Sequence, residues 1–171
     1  MNLIVAVDEN WGIGCENRLL YHLPLDMAFF KAKTEGKVVV MGKSTLLSLP
    51  FSRPLANRTN IVLSKTIDRS DCIVCDSLKK LFHMLSNYPS KDIFIIGGEK
   101  VYQTLLPYCE VAYITKIKAI SKATHFFPNI DLERNWEKVE QSELMTSNSM
   151  ELYFCKYKNK NVLQAGGAYE L

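Results

Sequence analysis

A lone carboxylate in an apolar stretch is the first feature of this sequence that could do chemistry. Asp26 is the only acid in LLYHLPLDMAFFK, residues 19–31. Pro24 suits a first helical position, so Asp26 falls in the first turn, where a negative charge meets the positive end of the helix dipole. Helical spacing predicts Phe29 and Phe30 on the same side as Asp26. The pattern indicates either a ligand-binding acid walled by two rings or a simple dipole partner.

Two turns that lead from a strand into a helix have a composition suited to phosphate. In IFIIGGEKVY, residues 93–102, a buried strand runs into Gly97-Gly98 and a helix start. Glycine lets a ligand approach the backbone, and the helix start offers free N–H groups to an anion. The full dinucleotide pattern G-x-G-x-x-G is absent. The alternative is a glycine turn needed for its geometry alone.

The second turn, in VVVMGKST (residues 38–45), has Gly42-Lys43-Ser44 like the end of a Walker A loop. The spacing fails, because the motif requires a glycine at position 37, which is Lys37. A nucleoside triphosphatase is therefore disfavoured, although Lys43 beside a helix start still suits a phosphate. Ser64-Lys65 ends the next strand and could add a hydroxyl and a second cation. Solvated surface is the alternative for both lysines.

Composition and the remaining motifs narrow the class of protein. The 171 residues are 47% hydrophobic and 23% charged with a net charge of +3, which suits one soluble domain and does not argue for nucleic acid. No apolar run reaches the length of a membrane span. The opening MNLIVAVDE lacks the basic start of a signal peptide. The three histidines are far apart and the five cysteines show no metal-ligand spacing, so no metal site is predicted. No motif of a catalytic nucleophile is present, which favours a cofactor that supplies the chemistry.

Short apolar runs alternate with helical segments, the pattern of a largely parallel α/β sheet. The predicted strands are Leu3–Val7, Lys37–Met41, Asn60–Leu63, Cys72–Cys75, Asp92–Ile96, Val111–Ile117, Trp136–Gln141 and Met150–Lys156. The predicted helices run from near Pro24 to about Gly36, from Gly42 to before Pro50, from Ser77 as N-cap to Ser86, and from Gly98 to Pro107.

Three further predictions follow from this pattern. The segment from Asp8 to Tyr21 is predicted to be a loop, made mobile by Gly12 and Gly14. The last three strands follow one another without helices, so they are predicted to form an antiparallel edge. Residues 159–171 lack periodicity and are predicted to be a disordered tail or a remnant of cloning.

These motifs, in this order and spacing, resemble those of the dihydrofolate reductase family. The matching pieces are IVAV with the later GIG, LPLDMAFFK, VVVMGKST, SRPLANRTNIVLS, IFIIGGEKVY, AYITKI and THFFP. The resemblance implies one domain over residues 1–158, with a mainly parallel eight-stranded sheet, flanking helices and an antiparallel C-terminal edge. It also implies a cytoplasmic, monomeric enzyme of one-carbon metabolism that reduces 7,8-dihydrofolate with NADPH and binds antifolate-type molecules.

The resemblance assigns roles to individual residues. Asp26 is implied to grip the amidine edge of the pterin, supported by Thr115, and to help water protonate N5 while hydride reaches C6. Arg58 is implied to bind the glutamate carboxylate of folate, and Leu19 to lie on a mobile loop that closes the site. The implied substrate wall adds Val5, Ala6, Phe30, Leu49 and Leu55. The implied cofactor contacts are Ala6, Ile13, Lys43, Ser44, Thr45, Ser64, Lys65, Ile96, Gly97, Gly98, Glu99, Lys100, Val101 and Tyr102.

Some positions depart from the common family pattern. Tyr21 occupies a position where the family more often has a tryptophan, and that tryptophan helps to order water near the acid. His22 and Pro50-Phe51 also differ from the common forms. Glu99 brings a negative charge near the expected pyrophosphate, so backbone donors are expected to bind there. No second acid is visible near Asp26, which favours a water relay for the proton.

Two rival functions remain open at this point. A sister reductase of the same fold, acting on a riboflavin-pathway pyrimidine, should lack the pairing of Asp26 with Thr115 and should lack Arg58. A non-catalytic nucleotide-binding module would bind NADPH and turn over nothing. Dihydrofolate-dependent loss of nicotinamide absorbance separates all three.

Overall fold

Twelve strands and four α-helices alternate along residues 1–165, the part of the chain that the computed structural model describes. The strands are β1 (Asn2–Val7), β2 (Gly12–Cys15), β3 (Arg18–Leu19), β4 (Val38–Gly42), β5 (Thr59–Leu63), β6 (Ile73–Cys75), β7 (Ile93–Gly97), β8 (Val111–Ile117), β9 (His125–Phe126), β10 (Trp136–Gln141), β11 (Met145–Ser147) and β12 (Met150–Asn159). The helices are α1 (Pro24–Thr34), α2 (Lys43–Ser48), α3 (Leu78–Leu85) and α4 (Glu99–Leu105). Each predicted strand and helix is present, with ends shifted by a few residues.

The central sheet has the order β10-β12-β8-β1-β7-β4-β5-β6, with β11 paired to β12. Strands β6, β5, β4, β7, β1 and β8 run parallel, while β12 is antiparallel to β8, β10 and β11. The mainly parallel eight-stranded sheet with an antiparallel edge is therefore confirmed, with β11 as an addition. Strand β8 was predicted as part of this edge, and it does pair antiparallel with β12. On its other side it runs parallel to β1, because α4 carries the chain across the sheet between β7 and β8.

Strand β1 lies at the centre of the sheet and is buried on both faces. Leu3, Val5 and Val7 pack in one hydrophobic cluster, whereas Ile4 packs in the cluster on the other face. This arrangement explains the continuous apolar run, since a central parallel strand has no solvent face. At the far edge, Cys75 packs with the first cluster and Cys72 against the second.

The segment predicted as a mobile loop, Asp8 to Tyr21, instead contains β2 and β3, which form a small antiparallel sheet with β9. Oδ1 of Asp8 accepts the N–H groups of Asn10 and Gly12 at 2.9 and 2.7 Å. Its Oδ2 accepts the N–H and hydroxyl groups of Ser121 at 3.0 and 2.6 Å. Burial raises the pKa of Asp8, but these hydrogen bonds outweigh it and hold the pKa below its usual value.

Gly12 serves close packing in this small sheet. A Cβ atom on Gly12 would lie 2.5 Å from the Cβ of Ala123 and 3.0 Å from the carboxylate oxygens of Asp8. Only a glycine lets the β2 backbone approach the loop before β9 so closely. Long-range packing therefore uses the missing side chain of Gly12.

Helix α1 begins as the sequence predicts. Leu23 is extended at φ −103° and ψ 123°, Pro24 occupies the first turn, and Asp26 follows within that turn. Lys31 and Lys33 lie in the last turn, where cations suit the negative end of the dipole. Helix α3 begins at the predicted cap, because the Ser77 hydroxyl oxygen accepts the N–H of Lys80 at 3.3 Å. Among residues 1–165, no helix is long and apolar enough to cross a membrane.

The chain remains hydrogen-bonded to the domain beyond residue 158. Asn159 is the last residue of β12 and is buried, and the N–H groups of Lys160 and Leu163 donate to the carbonyls of Asn135 and Pro107. The predicted tail covers residues 159–171, of which 166–171 lie outside the described residues.

Candidate active site

An open cleft of about 250 Å³ lies where the carboxyl end of β1 meets α1 and the small sheet. Ala6, Ile13, Leu19, Tyr21 and Asp26 are among its lining residues. Val5, at the end of the same strand, is buried. The cleft is mostly apolar, so a charged group within it has few water molecules to solvate it.

Asp26 is held in this cleft by a threonine from the central sheet. The Thr115 hydroxyl donates to Oδ1 of Asp26 at 2.6 Å. Thr115 is 1% exposed and lies in β8 directly opposite Ala6 of β1. Burial raises the pKa of Asp26, and the hydrogen bond from Thr115 only partly offsets this effect. The geometry supports a ligand-facing acid over a simple dipole partner, because a dipole partner needs no buried hydroxyl.

A second carboxylate, Asp8, also lines the cleft. Sequence reasoning missed it, although an acid directly after a buried strand was a visible signal. Both oxygens of Asp8 already accept hydrogen bonds from the loop described above, whereas Oδ2 of Asp26 has no partner among residues 1–165. Asp26 is therefore the acid with an oxygen available to a ligand.

Leu19 and Tyr21 border the acid from the small sheet and the segment that follows it. Leu19 is in β3 and is 61% exposed, although its side chain reaches the cleft. Tyr21 is half-buried against the cluster of Leu23, Ile117 and Leu152. His22 points into solvent.

The rings of Phe29 and Phe30 both pack against the cluster that contains Ile4 and Phe94, but their other neighbours differ. Phe29 stacks on Phe154 with ring centroids 4.4 Å apart, away from the cleft. Phe30 lies beside Arg58, whose guanidinium carbon is 6.0 Å from the ring centroid. The two residues follow Asp26 by three and four positions in α1, so both lie on its side of the helix, as predicted.

Arg58 has an unused donor. Its Nε is buried without a hydrogen-bond partner among the described residues. Burial lowers the pKa of this guanidinium, while the nearby charge of Glu35 raises it. Leu49 and Leu55 are partly buried and pack, like Phe30, against the cluster of Ile4, Val39, Met41, Leu46, Val62 and Phe94. An orphaned guanidinium N–H beside an apolar wall suits an anionic group of a ligand.

The two glycine turns lie side by side at the carboxyl ends of β4 and β7. Gly97 has a φ of +119°, which favours glycine, and a Cβ on Gly98 would lie 3.3 Å from Oγ1 of Thr45 in α2. A Cβ on Gly42 would lie 3.1 Å from Cγ2 of Val101. The glycines therefore have a geometric reason, and the same contacts bring two helix starts to one edge of the sheet. In open α/β sheets ligands bind at this edge.

A polar cluster lies next to these turns, at the end of β5. Lys43 Nζ donates to Oγ1 of Thr66 at 3.0 Å, and the Thr66 N–H donates to Oγ of Ser64 at 3.2 Å. Lys65 is exposed beside them. The strand register places Gly42 opposite Leu63, which brings the predicted pair of segments together. Sequence reasoning missed Thr66, although it directly follows Ser64-Lys65.

The other predicted cofactor residues divide into exposed and buried groups. Ser44 and Lys100 are exposed, and Ile96 is half-buried. Val101 and Tyr102 are buried beneath the turn, and the Tyr102 hydroxyl donates to the carbonyl of Ile4 at 2.7 Å. Among residues 1–165, no group of three or more His, Cys, Asp or Glu side chains could hold a metal ion.

Glu99 ties α4 to the small sheet. Its carboxylate lies 3.1 Å from Nδ1 of His125 and accepts the N–H of Phe126 at 3.2 Å. Strand β9, which contains both partners, pairs with β2 beside the cleft. Glu99, the acid that departs from the family pattern, therefore has a structural role, because its carboxylate contacts β9. His125 was not identified from the sequence, since the contact joins residues far apart in the chain.

Asp26→Asn is expected to raise the free energy of unfolding at neutral pH. Because burial raises the pKa of Asp26 in the folded state, the unfolded chain loses this proton first as pH rises, and ionisation favours unfolding. The gain should be smallest at low pH, where the carboxyl is protonated in both states. It should grow as pH rises through the unfolded-state pKa towards the folded-state value.

Urea unfolding of both proteins at a series of pH values measures this effect. Asp68→Asn, which changes an exposed carboxylate, is the matched control and should show no such pH-dependent difference. A loss of stability in Asp26→Asn at neutral pH would contradict the expectation.

Comparison with known proteins agrees with this geometry. The family model described as dihydrofolate reductase matches residues 1–159. The dihydrofolate reductase of Bacillus subtilis (strain 168) is 38% identical over 171 residues, covering 98% of this chain and 99% of the relative. Those of Haemophilus influenzae and Staphylococcus haemolyticus are 34% and 32% identical, covering 91% and 92% of this chain and 94% and 95% of the relatives. The chain belongs to the dihydrofolate reductase family, whose members are oxidoreductases.

Proposed function

We propose that this protein reduces 7,8-dihydrofolate to 5,6,7,8-tetrahydrofolate with NADPH as the reductant. The observation that carries the proposal is the Asp26 carboxylate, bonded to Thr115 in an apolar cleft with its second oxygen available. The amidine edge of a pterin offers two N–H donors in one plane, which match a carboxylate bidentately. The riboflavin-pathway alternative is disfavoured, since it should lack both this pairing and Arg58.

The reaction needs a hydride at C6 and a proton at N5 of the pterin. NADPH, when bound, supplies the hydride. Asp26 binds the pterin edge and favours its protonated form, and water brings the proton to N5, because the carboxylate of Asp8 is engaged in its own loop. Tyr21 and Leu19 restrict the water that reaches the cleft from the small sheet. Val5, Ala6, Phe30, Leu49 and Leu55 form the apolar wall of the substrate site.

Arg58 provides the second anchor for the substrate. Its buried Nε has no partner among residues 1–165, and a free guanidinium donor costs stability unless a ligand uses it. The glutamate carboxylate of folate is a planar anion that an arginine fork binds bidentately. We assign Arg58 to that carboxylate, with the Phe30 ring packed beside it.

The donor set at the other end of the site fits NADPH. Lys43, Ser64, Lys65 and Thr66 combine cations with hydroxyl groups at the sheet edge, which suits the 2′-phosphate that distinguishes NADPH from NADH. The glycine turns Gly42 and Gly97-Gly98 lie beside this cluster and would carry the pyrophosphate on their N–H groups. We assign seven further residues to the cofactor side of the site: Ile13, Ser44, Thr45, Ile96, Lys100, Val101 and Tyr102.

Asp26→Asn is expected to lower turnover of dihydrofolate by more than about tenfold at neutral pH, because the shape remains and the charge is lost. NADPH affinity should change little, since the acid lies away from the lysine cluster. The measurement is dihydrofolate-dependent loss of NADPH absorbance, with cofactor binding measured separately. Unchanged turnover would remove Asp26 from the mechanism, and a wild-type protein that binds NADPH without turnover would favour a non-catalytic module.

Arg58→Leu is expected to weaken dihydrofolate binding by about 1.5–3 kcal/mol, the range for charged hydrogen bonds. A pterin that lacks the glutamate tail should bind equally well to both proteins. Arg53→Leu, which removes an exposed arginine of the same segment, is the matched control. Equal losses for the two ligands would mean that Arg58 supports the fold and does not bind the tail.

Replacing Lys43 and Lys65 together with alanine is expected to erode the preference for NADPH over NADH. Each exposed lysine should contribute about 1 kcal/mol or less, diminishing with added salt. The measurement is the ratio of kcat/KM for the two cofactors at low salt, for the wild type and the double variant. Lys91→Ala with Lys158→Ala, both exposed and placed before β7 and in β12, should leave that ratio unchanged. If the double variant of Lys43 and Lys65 keeps the wild-type ratio, the 2′-phosphate binds elsewhere.

A further inference from the structure

A second cleft, larger than the one beside the acid, opens between α1, β8 and β12. The space between its walls is about 590 Å³, part of which is open to solvent. Three aromatic residues from three elements line it: Phe29 of α1, Tyr113 of β8 and Phe154 of β12. The proposed reaction uses none of these rings.

The rings leave flat surfaces suited to a planar ligand. Phe29 and Phe154 are stacked with centroids 4.4 Å apart and an interplanar angle of 26°. Tyr113 meets Phe29 edge-on at 6.3 Å and 66°. All three residues are only partly buried. The Tyr113 ring stacks with Phe94, with centroids 6.1 Å apart, and the Lys33 ammonium also lies over it, so a ligand reaches this ring in the place of Lys33.

The charges around the cleft favour an anion. Lys33 Nζ lies 4.5 Å from the Tyr113 ring centroid and 5.5 Å from that of Phe29. It has no carboxylate within ion-pair distance among residues 1–165, whereas the other lysine of the cleft, Lys156, is paired with Glu140 at 2.9 Å. The hydrogen bond from Lys156 lowers the pKa of Glu140, and the charge of Lys33 lowers it further. The two lysines thus share one carboxylate, and the three side chains leave a net charge of +1 around the cleft.

We propose that this cleft is a second binding site, for a small planar aromatic carboxylate. The ring system packs against Tyr113 and Phe154 in the space over which the Lys33 ammonium now lies. The carboxylate pairs with Lys33, which exchanges a cation–π contact for an ion pair. An uncharged aromatic molecule gains the first interaction only and binds more weakly.

The site shares its supports with the acid. Phe29 lies one helical turn after Asp26, and Tyr113 precedes Thr115 by two residues on the same face of β8. Phe154 lies directly opposite Thr115 in the β8–β12 ladder. A ligand against these rings therefore contacts the elements that hold the Asp26–Thr115 hydrogen bond, and it should change kcat more than KM for dihydrofolate. This kinetic effect rests on the proposed function, whereas binding itself does not.

Binding of 2-naphthoate to the full chain tests the proposal, measured by equilibrium dialysis with and without saturating folate and NADP⁺. Lys33→Gln should weaken binding about fivefold or more, and Lys31→Gln, an exposed lysine of the same helix, should not. The uncharged analogue 2-naphthalenemethanol should bind more weakly than 2-naphthoate and be insensitive to Lys33→Gln. Tyr113→Leu should also weaken binding, and if that variant does not fold, the lysine pair decides.

Three results would overturn the proposal: no saturable binding, equal affinity for wild type and Lys33→Gln, or displacement by folate. Displacement would mean that the probe occupies the Asp26 cleft. A protein that binds naphthoate through Lys33 but reduces no dihydrofolate would support this second site and refute the proposed function. A protein that reduces dihydrofolate but shows no Lys33-dependent binding of naphthoate would support the proposed function and refute the second site.

Discussion

The burial of one carboxylate is the constraint on which the candidate site depends. Asp26 can remain in an apolar cleft because Thr115 donates to one of its oxygens, and because the helix start stabilises negative charge. Burial still raises its pKa, so the protein retains an electrostatic cost there. A ligand with donors for the second oxygen offsets that cost, which makes the same cost a source of ligand affinity.

The other carboxylates near the site are used to hold structure. Asp8 accepts hydrogen bonds from its own loop and from Ser121, and Glu99 joins α4 to His125 and Phe126. Both contacts fix the small sheet, which borders the acid. Chemistry and positioning are thus divided among different carboxylates, and the acid proposed for chemistry is the one with an oxygen that accepts no hydrogen bond among the described residues.

Close backbone approach is the second recurring device. Gly12 lets β2 pack against Ala123, and Gly42 and Gly98 let the starts of α2 and α4 meet. Each glycine removes a side chain at a contact between segments far apart in sequence. The consequence is that loops from four strands converge on one edge of the sheet, where the proposed cofactor site lies.

The amino-acid sequence by itself determined the strands, the helices and the mainly parallel order, because apolar periodicity, Pro24 and Ser77 act within a few residues. Its motifs also brought the pairing of Asp26 with Thr115 into view through the family resemblance. The tertiary structure alone decided the small sheet, the parallel partner of β8, the different neighbours of Phe29 and Phe30, and the partners of Asp8 and Glu99. These features depend on contacts between residues distant in the chain. Local propensity carries no information about which distant group donates a hydrogen bond to a carboxylate or packs against a glycine.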